Sequence, residues 1–85
     1  MATTKGKIEN ISLTGNFCCV RVMETEQENT AFILLWSYFV QEDNATNRLN
    51  HGMFLSLVRD AFLNNRTVEF THNSGSALAT IVHVE

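Results

Sequence analysis

The 85-residue chain contains no proline, four glycines, one tryptophan and one tyrosine. Without proline there is no fixed kink and no polyproline segment, so turns must be made by Gly, Asn, Ser and Asp. Charge is also scarce, at 18% of residues, somewhat below the usual share. The low figure suggests that part of the surface is covered by something other than water. The six basic residues, Lys5, Lys7, Arg21, Arg48, Arg59 and Arg66, are scattered and the formal net charge is -3. Neither nucleic acid nor an anionic membrane surface finds an electrostatic footprint here.

Cysteine is limited to the adjacent pair Cys18-Cys19. Neighbours on a strand point to opposite faces and do not readily bridge, so no internal disulfide framework is implied. That composition fits a reducing compartment. MATTKGK has no apolar stretch behind its lysines, so the chain as written lacks a secretory signal and reads as cytoplasmic. A processed mature form would look the same and would be secreted. The longest apolar run, AFILLWSYFV at 31–40, is about half of what a bilayer crossing needs, so no membrane insertion is expected. The N-x-S/T triplets beginning at Asn10, Asn44 and Asn65 are what chance gives in a chain rich in Asn, Ser and Thr.

What is present organises into one domain, 1–85, with no repeat or linker. GKIENISLT within 5–14 reads as a first strand. Its apolar spacing of three between Ile8 and Ile11 breaks the period of two, which a bulge near Glu9–Asn10 restores. Gly15-Asn16 turns the chain, and 17–24 alternates Cys18, Val20 and Val22 against Phe17, Cys19, Arg21 and Met23. TEQENT is a second turn, and AFILLWSYFV a third strand. Residues 41–50 are polar and read as a loop. HGMFLSLVRDAFLNN has helical spacing at Phe54, Leu57, Val58, Ala61 and Phe62, with Asn50 as the expected N-cap and Asn64-Asn65 as the left-handed end. Leu63 falls on the polar side of that helix. Residues 67–72 alternate again, Asn73-Ser74-Gly75-Ser76 is a hairpin turn, and 77–84 is the last strand.

The order β-β-β-α-β-β is that of a five-stranded antiparallel OB-like barrel with its helix between the third and fourth strands. The competing architecture is an open five-stranded antiparallel sheet with the helix across one face. The block FLSLVRDAFLNNRTVEF, following a meander with GKIENISL and FCCVRV, resembles the OB-fold B subunits of pertussis-like and subtilase-type AB5 toxins. That resemblance implies ring assembly and binding of cell-surface glycans. Cys18-Cys19 does not stand in for the separated disulfide cysteines of those subunits, and no sugar-contacting position carries over.

No catalytic arrangement emerges. Ser12, Ser37 and Ser74 lack a nucleophile context, no glycine-rich phosphate loop exists, and His51, His72 and His83 are not at metal-ligand spacing. The histidines read as surface or rim residues, and Cys18 reads as a core residue. No cofactor is expected. Trp36 and Tyr38 are the best ligand or interface candidates, because OB strands commonly stack sugars or bases on aromatics. The same rings also serve core or interface burial. Arg21, on the outward side of the second strand, and Leu63 complete the candidate set. The expectation is a non-enzymatic domain that self-associates and acts as a binding module. Its partner is a second copy of itself, and the alternatives are a glycan-binding lectin and a single-stranded nucleic-acid binder. As a strand, 31–40 would be central and buried on both sides, which marks an assembly.

Overall fold

A computed structural model describes all 85 residues, Met1–Glu85. The elements are β1 (Ala2–Leu13), β2 (Phe17–Glu24), β3 (Thr30–Ser37), α1 (Ala45–Leu63), β4 (Thr67–His72) and β5 (Ala79–Val84). All ladders are antiparallel and the sheet order is β3-β2-β1-β4-β5. The 12-residue β1 is central because it is long enough to serve two partners. Its first half, Ala2 to Lys7, pairs with β4, while Gly6 to Leu13 pairs with β2.

The expected barrel is not closed. The sheet is open, with α1 packed on one face, which is the competing architecture of the sequence reading. Its two edges touch at a single parallel bridge between Leu34 and Leu78, where the Leu34 N–H donates to the Ala77 carbonyl at 2.8 Å. Closure needs a ladder that continues around the ring, and neither edge can extend this rung. β3 ends at Ser37, whose carbonyl accepts from the Gln41 N–H at 2.9 Å as the chain turns away. β5 begins only at Ala79 and bonds to β4. β3 is therefore an edge strand and not a central one, and Phe32 on its outer side is 63% exposed. Phe39 and Val40, expected inside the strand, lie exposed beyond its end.

Two bulges set which residues reach the core. On β1 the register shifts between Ile8 and Asn10, so Ile8 opposes Val22 and Ile11 opposes Val20 on the buried side, as the sequence spacing required. On β3, Cys19 pairs with Leu34 and Cys18 with Trp36, leaving Leu35 as the extra residue. Leu35 and Trp36 are consequently both buried, whereas strict alternation would have sent Trp36 outward with Phe32. The core between sheet and helix is built on Val20, Val22, Leu35, Val68 and Phe70 from the strands and Val58 and Ala61 from α1.

The helix starts a turn and a half earlier than its apolar periodicity suggests. Asn44, not Asn50, is the N-cap: its Oδ1 accepts from the Asn47 N–H at 2.8 Å. Asn47 in turn donates from Nδ2 to the Glu42 carbonyl at 2.7 Å. At the other end Asn65 takes φ 54°, the Asn65 N–H reaches Phe62 O at 3.3 Å and the Arg66 N–H reaches Ala61 O at 2.8 Å. These two bonds satisfy carbonyls that the helix leaves free, the pattern of a Schellman end.

Candidate functional site

The predicted aromatic pair meets the first half of α1. Trp36 is brought inward by the β3 bulge, and Tyr38 follows where the chain leaves the strand, its N–H donating to the Asn16 carbonyl at 2.7 Å. That bond ties the end of β3 to the β1–β2 turn. The turn is itself fixed by Thr14, whose hydroxyl accepts from the N–H groups of Asn16 at 3.2 Å and Phe17 at 3.1 Å. Between the two aromatics lies His51, 5% exposed. Its ring stacks on the Trp36 indole with centroids 5.3 Å apart and planes 8° from parallel. The Tyr38 hydroxyl and His51 Nδ1 are hydrogen-bonded at 3.0 Å, and Phe54 packs against the imidazole at 6.3 Å.

Arg48 sits one helical turn before Gly52 and covers Tyr38. Its guanidinium carbon is 5.2 Å from the phenol centroid, a cation–π arrangement. The same guanidinium grips Asp43 through two hydrogen bonds, from Nε and from an Nη at 2.8 Å. This pair draws the Asp43 carboxyl below the usual range, its hydrogen bond being the largest cause. Burial pushes the His51 pKa below the ordinary histidine value. Trp36, Tyr38, Arg48, His51 and Gly52, with Leu13, Thr14 and Gly15, line an open cleft of about 240 Å³.

This geometry changes what the aromatics can do. The His51 ring stacks on Trp36, and a guanidinium covers one face of Tyr38, so neither ring is a bare platform for stacking bases. Arg21 lies away from the cleft on the outward side of β2, 3.5 Å from the Glu9 carboxylate. Leu63 is at the far end of α1 and 75% exposed. The structure thus joins two of the four candidates and leaves two apart. His51, read from sequence as a surface residue, is the buried centre of the cluster. Its position was available in the spacing, because 51, 54, 58 and 61 recur at three and four along one helical stripe.

Elsewhere the molecule offers less. Cys18 is buried and its thiol is pushed up to about 11, first by burial and then by Cys19, whose own thiol is raised by burial. Neither is an activated nucleophile. No three His, Cys, Asp or Glu side chains gather as a metal site, and no helix is long and apolar enough to cross a membrane. A hollow of about 250 Å³ is lined by Thr3, Lys5, Glu24, Glu26, Gln27 and Glu69, without an apolar side chain.

The outer side of α1 carries a row of exposed apolar side chains. Leu49, Met53 and Leu57 recur every four residues there, Met53 being 58% exposed, and Leu63 extends the stripe toward the helix end. The inner side of the same helix buries only His51, Val58 and Ala61 fully. No family model, no curated protein and no solved structure matches the chain.

Proposed function

We propose that this chain is a non-enzymatic interaction module that pairs with a second copy of itself through the outer face of α1. The observation that carries the reading is the exposed stripe of Leu49, Met53, Leu57 and Leu63. Exposed apolar side chains gathered on one face mark contact sites, and these four lie on one side of the helix. Two features favour a like partner. Arg59 and Asp60 line the same hollow as Leu57 and Leu63, so that part of the face carries one charge of each sign and meets its own copy without net repulsion. A 19-residue helix spans about 28 Å. Two such helices side by side bury on the order of 1,000 Å², the low end of specific interfaces, which suits a reversible dimer.

The test is light scattering on Leu49→Lys/Met53→Lys beside Phe32→Lys, all at exposed positions. Loss of the dimer in the helix variant and its retention in the β3 variant supports the reading. Retention in both overturns it.

A glycan ligand is the second reading, favoured by the cleft beside Tyr38. There an apolar flank from Leu13 and Tyr38 adjoins donors and acceptors on Thr14, Arg48 and His51. Such a lining suits an uncharged polyol with one apolar face. Glycan-array binding that disappears in Arg48→Gln supports this reading, and an array without signal removes it.

A further inference from the structure

His51 is the molecule's one buried histidine, and neither reading above uses its titration. It sits on the second turn of α1, pressed against Trp36, Tyr38 and Phe54. Its ring is thus the main polar link between the first half of the helix and the end of β3. The Tyr38 hydroxyl is its protein hydrogen-bond partner, through Nδ1. In the neutral tautomer with the proton on Nε2, the phenol donates to Nδ1. No buried side-chain nitrogen or oxygen in the molecule lacks a partner. Nε2, which has no protein partner, therefore reaches the solvent of the cleft, so protons have access to the ring.

We propose that His51 is a proton-operated latch between α1 and the end of β3, and that charging its ring loosens the first half of the helix. The groups around it define the direction. Arg48, on the preceding turn, brings a positive charge over the neighbouring Tyr38 ring, and the Asp43 carboxylate is committed to that arginine. The end of β1 and the β1–β2 turn contribute Leu13, Thr14 and Gly15 to the cleft, none of them ionisable, and the end of β3 with the residue beyond it contributes Trp36 and Tyr38. No carboxylate bonds to the imidazole to hold a proton there. Stacking on the indole favours the imidazolium, but loss of water on burial opposes it. Protonation also turns Nδ1 into a donor, so the phenol must rotate its own hydrogen away.

The sign follows from linkage. A histidine whose pKa is depressed by folding binds fewer protons folded than unfolded between the two values. The stability it supports is complete above the ordinary value of about 6.5 and falls as pH drops through the folded value. The lone indole, Trp36, reports the event directly, because an imidazolium stacked on it quenches its emission. In the wild type, fluorescence is expected to fall along a single titration with its midpoint below the ordinary histidine value. His51→Gln removes that titration, while His72→Gln and His83→Gln leave it in place. Tyr38→Phe takes away the donor that favours neutral Nδ1 and moves the midpoint upward. Amide exchange of 45–52 accelerates below the midpoint while 56–63 stays protected. A flat wild-type titration, a midpoint at or above the ordinary value, or unchanged exchange at 45–52 overturns the proposal. Should His51→Gln not fold, the Tyr38→Phe shift decides, and an unmoved midpoint counts against the latch.

Discussion

At Gly6, β1 runs so close to β2 that a Cβ would lie 2.0 Å from the Met23 carbonyl oxygen. The obstacle is backbone, so it cannot swing aside as a long side chain would. Gly6→Ala is expected to lower stability by about 1–3 kcal/mol, the usual range for overpacking, and a urea unfolding midpoint checks it. Cysteine makes a different prediction at the same scale. Cys18 lies in the core opposite Trp36, and its thiol is raised to about 11. A disulfide-exchange reagent at neutral pH should therefore leave it unmodified in the folded protein and react with it after denaturation. Rapid reaction of both thiols in the native state would show that β2 and β3 separate far more readily than this core implies.

Among the elements, α1 and β3 carry the site, and each was only half legible in the sequence. The bulge on β1 could be read because Ile8 and Ile11 stand out among polar neighbours, so a broken period is visible. The bulge on β3 could not, because 31–36 is apolar at every position and alternation carries no information there. Only the pairing of Cys18 with Trp36 shows that the indole faces the core. The helix start was hidden for the opposite reason: residues 45–48 are mostly polar and add no apolar periodicity, and their order depends on the Asn44 cap and the Asp43–Arg48 pair. Asn44→Ala should cost about 1 kcal/mol, measurable as a lower thermal midpoint. Asn50→Ala, one of the exposed positions inside the helix, should not. The Schellman end was legible, since Asn64-Asn65 announces a left-handed residue.

Over the whole molecule, the sequence order predicted five strands and one helix correctly, but the closed barrel expected from that order is an open sheet. Closure depends on how far β3 and β5 run beside each other, and here they share one rung, Leu34 with Leu78. The excess of apolar residues noticed in 31–40 is resolved differently from a strand buried on both sides. Leu35 and Trp36 go to the core, while Phe32, Phe39 and Val40 remain at the surface. A further set of exposed apolar side chains, Leu49, Met53, Leu57 and Leu63, lies on α1, and the proposed contact with a second copy rests on that face. Sedimentation velocity of the native protein from micromolar to millimolar concentration tests this most directly. The account predicts a mass rising from 9.6 kDa toward twice that value, with the rise abolished by Leu49→Lys/Met53→Lys. A wild-type protein that stays at 9.6 kDa throughout the range would contradict it.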